Sequence, residues 1–334
     1  MNSLSWQREL SRAVTNPADL LSALGLDAEL LGPARAAAQK FGLRVTHSYL
    51  SRMRRGDLSD PLLRQVLPLG DELLDVPGYG GDPLQEHAAT SAPGLLQKYA
   101  GRALLITTAA CAIHCRYCFR REFPYSAQGE SADAGVSGRL GAALQAIADD
   151  TSLEEVILSG GDPLSLSDAR LASLTAALDA IPHVRRIRVH TRQPVVLPSR
   201  VDAGLSAWLR GVQKPVVIVL HINHSNEIDA AVRAACAALR GAGATLLNQS
   251  VLLRGVNDDV DALQRLSVAL MDAGVLPYYL HLPDRVRGTA HFDVDERTAQ
   301  QLIAELTARL SGYLVPRLVR EIPGALSKVP SVRT

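Results

Sequence analysis

Three cysteines, Cys111, Cys115 and Cys118, follow one another with the spacing C-x3-C-x2-C. Cysteine thiolates are the usual ligands of iron–sulfur clusters, and a four-iron cluster needs a ligand on each iron. A motif with three thiolates therefore leaves one iron open to a molecule that is not part of the protein. This pattern predicts a [4Fe-4S] cluster that performs chemistry on a bound molecule in addition to carrying electrons.

Two other interpretations of the cysteines stay open at this point. A zinc site would need a fourth ligand, for which His114 or the distant Cys236 could serve. A disulfide would leave one of the three cysteines unpaired, and thiols stay reduced in the cytoplasm, where we expect this chain. Cys236 itself lies in an alanine-rich stretch of helical pattern, which favours a small buried apolar residue over a ligand.

Lysine is rare in this chain, which draws attention to the few lysines present. The 35 basic residues include four lysines, Lys40, Lys98, Lys214 and Lys328. An amine that can lose its proton does chemistry that arginine cannot, such as bonding covalently to pyridoxal phosphate. Lys98 and Lys214 precede strands and are expected at the opposite face of a barrel from its active site, and Lys40 belongs to the helical N-terminal part. Lys328, just after the strand-like run LVPRLV, is the best candidate for such an amine.

The composition limits the partners that we expect. The net charge of the 334 residues is +1, so no overall field attracts nucleic acid or an anionic membrane. The N-terminus has no apolar signal-peptide core, and no apolar run is long enough to span a bilayer. We expect a soluble cytoplasmic protein that binds neither nucleic acid nor membranes.

Strand and helix patterns alternate regularly from Arg102 onward. Six β-rich runs are predicted as strands, at 103–108, 155–160, 186–191, 216–221, 245–251 and 276–282, with helical patterns between and after them at 138–149, 168–180, 201–210, 228–241, 260–273 and 295–310. Such a series predicts an α/β fold with a parallel sheet and right-handed crossovers, two units short of the eight that close a full barrel. We predict an N-terminal helical segment (1–95), a (β/α)6 core (96–312) and a C-terminal segment that carries the lysine (313–334). Residues 127–137 are predicted as a surface loop.

The carboxyl ends of the parallel strands are the expected place for the active site. The cysteine loop follows the first strand and therefore lies on that face. After the second strand come Gly160, Gly161 and Asp162, where glycines permit close approach of a ligand and the carboxylate could meet an ammonium, although a tight βα turn would use the same residues. His190, at the end of the third strand, is a further candidate.

Together these motifs resemble those of the lysine 2,3-aminomutases, which are radical S-adenosylmethionine (SAM) enzymes that also use pyridoxal phosphate. The resemblance runs from about Asp60 to Pro330 and includes the following motifs: CxxxCxxCFRR, SGGDPL, RQPVVLPSR, HINHSNEI, NQSVLLRGVND, PYYLHLPD, HF, SGYLVP and PG-x3-K. Enzymes of this kind use an open (β/α)6 partial barrel, which agrees with the six predicted units.

The resemblance implies ligands for each cofactor. The three cysteines would hold the cluster, and Gly160, Gly161, Asp162 and His190 would lie on the SAM side. Lys328 would bind pyridoxal phosphate covalently. The phosphate of that cofactor would be held by the following residues: Lys98, Arg102, Gln249 and, through their side chains, Asn248 and Ser250.

The resemblance also implies a substrate. Arg120 matches the arginine that binds the substrate carboxylate, and Asp284 matches an aspartate that binds the ε-ammonium of lysine. Glu321 stands where the enzymes that act on free lysine have a second aspartate. Its carboxylate is one methylene further from the backbone, so we expect its contact with the ammonium to be looser or shifted. Two acids around one pocket favour an amine-bearing substrate over glutamate, which is the alternative substrate.

The implied reaction converts L-α-lysine into (R)-β-lysine, with electrons from a donor such as flavodoxin or ferredoxin. The chain stops six residues after Lys328 and has no cysteine there. In this it resembles the short branch of the family, whose product modifies translation elongation factor P through a separate ligase. The sequence leaves the oligomeric state open.

Overall fold

A ten-stranded sheet forms the centre of the molecule in the computed structural model, which describes residues 5–125 and 139–331. The strands are β1 (Thr90–Ala92), β2 (Leu95–Tyr99), β3 (Arg102–Thr108), β4 (Glu155–Gly160), β5 (Arg186–Thr191), β6 (Val216–His221), β7 (Thr245–Val251), β8 (Leu276–His281), β9 (Arg317–Arg320) and β10 (Val329–Pro330). They lie in the sheet in chain order, and every pair from β3 to β9 is parallel. The prediction of an α/β partial barrel is confirmed.

The sheet extends beyond the six predicted units at both edges. Strands β3 to β8 correspond to the six β-rich runs, and β9 adds a seventh parallel strand beside β8. Antiparallel pairing then adds β2 and β1 before β3, and β10 after β9. The strand-like run LVPRLV overlaps β9, whereas β1, β2 and β10 have two to five residues, too few for an alternating apolar pattern to stand out in the sequence. The predicted loop at 127–137 lies outside the described residues.

Helices cover the outside of the parallel sheet. They are α1 (Ser5–Ser11), α2 (Pro17–Leu24), α3 (Leu31–Lys40), α4 (His47–Leu50), α5 (Pro61–Arg64), α6 (Arg139–Asp149), α7 (Asp168–Asp179), α8 (Gln193–Val196), α9 (Ala203–Gly211), α10 (Ala230–Gly241), α11 (Val260–Asp272) and α12 (Glu296–Arg309). An aspartate precedes each helix from α9 to α12 and accepts a hydrogen bond from the first turn. These N-caps stabilise each helix by about 1 kcal/mol and define where it begins.

The N-terminal helices α1–α5 pack on the barrel and share its apolar core. Leu20 of α2, Tyr49 of α4 and Leu62 of α5 belong to the same buried cluster as Leu105 of β3 and Ile218 of β6. The segment predicted as helices and loops also contains β1 and the first residue of β2. Within the described ranges, every helix is too short or too polar to cross a membrane.

Candidate active site

A cavity of about 540 Å³ opens at the carboxyl ends of the parallel strands, as the fold predicts. Its wall includes all three cysteines of the motif and Lys328. The other predicted site residues on the wall are Lys98, Arg102, Arg120, Gly160, Gly161, Asp162, His190, Gln249, Asp284 and Glu321. The structure therefore gathers residues that are up to 230 positions apart around a single space.

Asn248 and Ser250 do not reach this cavity with their side chains, contrary to the expectation that they bind phosphate. Asn248 exchanges hydrogen bonds with the backbone of Ile222 and donates to the Ser250 hydroxyl at 2.9 Å. The Ser250 hydroxyl donates to the Ile222 carbonyl at 2.7 Å. Side chains alternate between the two faces of a strand, so Gln249 faces the cavity while its two neighbours join β7 to the segment after β6.

The cysteine loop is held in place by the N-terminal segment. The Arg116 amide donates to the Gln65 carbonyl at 2.9 Å, and the His114 amide donates to the Arg44 carbonyl at 3.0 Å. The Arg116 guanidinium forms a buried ion pair with Glu72. The N-terminal helices thus fix the conformation of the loop that presents the thiols.

The environment of the thiols disfavours the thiolate form unless a cation lies beside it. All three cysteines are free. Desolvation raises the pKa of Cys118 to about 11 and that of Cys111 above its usual value. Thiolates there need a positive partner, and iron supplies one.

The candidates for a fourth zinc ligand are engaged elsewhere. His114 contacts the Gly42 carbonyl through Nδ1 at 2.9 Å. Cys236 is fully buried in the apolar core on α10, and burial raises the pKa of its thiol to about 11. The prediction of Cys236 as a small buried residue is confirmed.

Arg192, just after β5, contacts the cysteine motif directly, a role that the sequence did not suggest although the residue begins the RQPVVLPSR motif. Its Nη1 donates to Cys115 Sγ at 2.7 Å. Its Nη2 donates to Glu227 at 2.8 Å, to Gln65 at 2.7 Å and to the Tyr49 hydroxyl at 3.0 Å. A guanidinium donating to a sulfur ligand stabilises the thiolate and influences the reduction potential of a cluster.

Gly160 and Gly161 allow the end of β4 to approach the cysteine loop closely. A Cβ atom on Gly160 would lie 2.5 Å from the Thr108 carbonyl oxygen, and one on Gly161 would lie 2.5 Å from the Ala110 carbonyl oxygen. Gly160 also has a φ of 116°, which only glycine adopts without strain. Any side chain at either position would push the loop out of place.

Asp162 organises the turn after β4, and its carboxylate is not free to meet an ammonium as predicted. One oxygen accepts from the Leu164 amide and the Thr191 hydroxyl, and the other accepts from the amides of Arg192 and Gln193. Burial raises the pKa of Asp162, and these four hydrogen bonds oppose that shift. For Asp162 the structure therefore supports the alternative interpretation, a tight βα turn.

An alternating row of charges crosses the cavity. Lys328 Nζ lies 2.8 Å from Glu321, whose second oxygen lies 2.9 Å from Lys98 Nζ. Lys98 also lies 3.2 Å from Glu86, which forms two 2.8 Å hydrogen bonds with Arg120. We call this row of Arg120, Glu86, Lys98, Glu321 and Lys328 the charge chain.

Lys98 therefore points into the cavity, and the expectation that it faces away is wrong. It lies on β2, which pairs antiparallel with β3 at the sheet edge, so its position before β3 in the sequence says nothing about its direction in space. Its ammonium is bound to two carboxylates, which is a different arrangement from the predicted phosphate ligand.

Asp284 shares this end of the cavity with Glu321. Burial, followed by the negative charge of Glu321, raises the pKa of Asp284 to about 7, although Lys328 and Lys98 oppose the shift and Glu86 adds to it. Burial alone would raise the pKa of Glu321, but Lys328 and Lys98 lower it below its usual value. One acid is therefore ionised, while the other is ready to titrate near neutral pH.

Unpartnered polar atoms line the rest of the cavity. Arg102 stacks on the Tyr99 ring, 5.0 Å from its centroid, and its buried Nε has no hydrogen-bond partner. The buried Nε2 atoms of His190 and His281 also lack partners, and loss of solvent lowers the pKa of both rings well below the usual value. Buried donors of this kind are rare unless a bound group satisfies them. An anionic, ring-containing cofactor fits these atoms and Gln249.

Comparisons with known proteins agree with this geometry. Residues 99–189 match the family model described as "4Fe-4S single cluster domain". The chain is 48% identical to the L-lysine 2,3-aminomutase of Escherichia coli strain K12, with 97% of this chain and 94% of the relative covered. It is 43% identical to that of Haemophilus influenzae (97% and 94% covered) and 35% identical to that of Clostridium subterminale (97% and 77% covered).

Among solved structures, a radical SAM methyltransferase from Sphaerobacter thermophilus matches 68% of each chain with 18% identity and a TM-score of 0.46. That similarity is too low to bear on the site, whereas the sequence relatives extend over almost the whole chain. The high identity over this length shows that the protein is an isomerase of the lysine 2,3-aminomutase family.

Proposed function

We propose that this enzyme converts L-α-lysine into (R)-β-lysine, with a [4Fe-4S] cluster, SAM and pyridoxal phosphate as its cofactors. The observation that carries the proposal is the pair of acids Asp284 and Glu321 at one end of the cavity, with Arg120 also on its wall. Two carboxylates that share a site repel each other unless a cation joins them. An amino acid with a cationic side chain matches this distribution, whereas the side chain of glutamate would add a third negative charge there.

The residues of the cavity divide among the three cofactors. When bound, the cluster and SAM supply a radical that can remove a hydrogen atom from the substrate, and pyridoxal phosphate supplies a ring that binds the migrating nitrogen. Cys111, Cys115 and Cys118 would hold three irons. Lys328 would hold the pyridoxal, while Arg102 and Gln249 would hold its phosphate. Gly160, Gly161 and His190 would lie beside SAM.

The remaining side chains bind and orient the substrate. Arg120 would bind the α-carboxylate through its guanidinium, and Ser159 supports it by accepting a 3.1 Å hydrogen bond from Nη1. Glu321 orients the Lys328 amine at 2.8 Å. When that amine is bonded to the cofactor, Glu321 and Asp284 would receive the ε-ammonium of the substrate.

We further propose that the enzyme acts in the cytoplasm, receives electrons from a flavodoxin or ferredoxin and supplies β-lysine for the modification of elongation factor P by a separate ligase. This part rests on the resemblance to the short branch of the family described above.

The direct test of the substrate is an anaerobic competition assay. Reconstituted enzyme with SAM, pyridoxal phosphate and reductant receives equal amounts of L-lysine and L-glutamate. We expect β-lysine and no β-glutamate, identified by mass spectrometry after chiral derivatisation, with iron and sulfide measured on the same sample. Formation of β-glutamate, or unchanged lysine in a sample that contains the cluster, would contradict the proposed substrate.

Lysine binding is expected to depend on pH through Asp284. Its pKa of about 7 leaves the carboxyl protonated and neutral at pH 6, so its attraction for an ammonium appears only as the pH rises. One proton in competition with the substrate weakens lysine binding about tenfold between pH 8 and pH 6. Calorimetric titration with L-lysine across this range would measure the effect.

Asp284→Asn tests whether this residue causes the pH dependence. The variant should bind lysine weakly and nearly independently of pH. Because the raised pKa means that the native state binds the proton more tightly than the unfolded chain does, Asp284 destabilises the fold progressively as the pH rises from about 4 to about 7, and the variant should be more stable than the wild type at pH 8. Asp293→Asn, which removes the charge of a carboxylate that accepts from the Tyr79 hydroxyl outside the cavity wall, is the matched control. A wild-type pH dependence in Asp284→Asn would rule out this assignment.

A further inference from the structure

Glu86 lies within the charge chain, between the cations Arg120 and Lys98. It is a residue to which neither the sequence motifs nor the proposed mechanism assigns a role. Its Oε2 accepts from Arg120 Nε at 2.8 Å, and its Oε1 accepts from Arg120 Nη2 at 2.8 Å and lies 3.2 Å from Lys98 Nζ. Glu86 thus binds one cation with both oxygens and still contacts a second cation.

The local backbone holds Glu86 in this position. Its amide donates to Asp82 Oδ1 at 2.9 Å, and its carbonyl accepts from the Thr90 hydroxyl at 3.1 Å. The residue is 3% exposed and lies on the cavity wall. Burial alone would raise the pKa of Glu86, but Arg120 and then Lys98 lower it, so the carboxylate is ionised at neutral pH.

Glu86 occupies Nε and Nη2 of Arg120, a pair of parallel donors of the kind that binds a carboxylate well. A guanidinium has five N–H donors and binds a carboxylate best through two parallel hydrogen bonds. Glu86 takes one such pair, and the Ser159 hydroxyl takes a further donor. A second carboxylate at Arg120 must either replace Glu86 or bind beside its negative charge, and either arrangement weakens its binding.

Glu86 also limits which ligands Lys98 can bind. Lys98 lies between Glu86 at 3.2 Å and Glu321 at 2.9 Å, so both of its contacts are anionic. An acidic side chain of a substrate that sought Lys98 would meet two carboxylates as well. The charge chain therefore opposes ligands with a second carboxylate more strongly than ligands with one.

We propose that Glu86 is a specificity-determining residue, which competes with the substrate α-carboxylate for Arg120 and shields Lys98 from acidic side chains. Binding of a lysine would release Glu86 from Arg120 while its Oε1 keeps the contact with Lys98, so the acid would not become an unpaired buried charge. This inference rests on the proposed function, because it requires that an amino-acid carboxylate binds Arg120.

The test compares the affinities of three ligands for the holoenzyme, measured by calorimetry without reductant so that no turnover occurs. The ligands are L-lysine, L-glutamate and 1,5-diaminopentane, which lacks the carboxylate of lysine. In Glu86→Gln we expect L-lysine to bind about tenfold more tightly, because one charged competitor for the guanidinium is removed. L-glutamate should gain more than lysine does, and 1,5-diaminopentane should not bind more tightly.

Two further variants make the result specific. Glu86→Asp keeps a negative charge near Arg120, so the variant should fold. The shorter side chain moves that charge away from the guanidinium by one methylene, so lysine should bind about threefold more tightly. Glu122→Gln removes a carboxylate that pairs with Arg287 at 3.0 Å outside the cavity wall, and should change none of the three affinities.

The possible outcomes separate this inference from the proposed function. If both Glu86 variants bind lysine no more tightly than the wild type, or lose affinity for all three ligands alike, Glu86 supports the structure only and the inference is overturned. If the wild-type holoenzyme does not bind lysine at all, the proposed function fails and the inference fails with it.

Discussion

Replacing Cys115 by alanine is expected to remove the iron–sulfur cluster and to abolish turnover completely. A cluster with three protein ligands has no spare side chain, because the open iron must stay free for the bound molecule. Cys115 also accepts the 2.7 Å hydrogen bond from Arg192, so its loss leaves a buried guanidinium nitrogen without its sulfur partner. Iron and acid-labile sulfide content, measured after anaerobic reconstitution, should fall close to zero.

Cys236→Ala is the matched control for this experiment. Cys236 is fully buried on α10 in the apolar core, so its replacement should cost about 1 kcal/mol of stability and leave iron content and turnover unchanged. A Cys115→Ala protein that keeps full iron content and turnover would refute the cluster assignment. Zinc in place of iron and sulfide in the wild type, with loss of that zinc in Cys236→Ala, would revive the zinc interpretation, in which this residue is a ligand.

The second large effect is expected for Lys328→Ala, which should lose covalently bound pyridoxal phosphate, its visible absorption band and all activity. The Lys328 amine lies at the cavity wall, 2.8 Å from Glu321 and 5.8 Å from the centre of the Tyr279 ring. Lys214 is a lysine outside the charge chain. Its amine donates to the Ile181 carbonyl at 2.9 Å, and the residue does not line the cavity. Lys214→Ala should therefore keep the absorption band.

Lys328→Arg separates the charge of this residue from its nucleophilic amine. Arginine keeps a cation beside Glu321 but cannot form the covalent bond, so the variant should fold like the wild type and still lack the band. Reduction with borohydride followed by peptide mass spectrometry would locate the pyridoxal directly. A label on any lysine other than Lys328 would contradict the assignment.

Much of the fold could be predicted because parallel strands such as β4 and β6 are buried along most of their length. Runs such as 216–221 are almost continuously apolar, and the helices between them carry regular patterns and aspartate caps. The outer strands β1, β2 and β10 could not be predicted, because edge strands of a few residues depend on pairing with β3 and β9 instead of on their own sequence.

The sequence by itself determined which chemistry is possible. The spacing of Cys111, Cys115 and Cys118 places three thiols in one loop, and the scarcity of lysine leaves four candidate amines, Lys328 among them. Both features are local, since they depend on residue type and short separations along the chain. They therefore need no knowledge of the fold.

Only the tertiary structure decided which charges meet. Glu321 is 223 residues from Lys98 in sequence, and it meets Lys98 and Glu86 where β2 and the segment after β9 flank the parallel sheet. A sequence motif also does not predict which face of a strand a side chain occupies. Gln249 faces the cavity, whereas its neighbour Asn248 donates to the Ile222 carbonyl. Burial then sets the ionisation of these groups, because the pKa of a carboxyl such as Asp284 depends on the solvent and charges that the complete fold leaves around it.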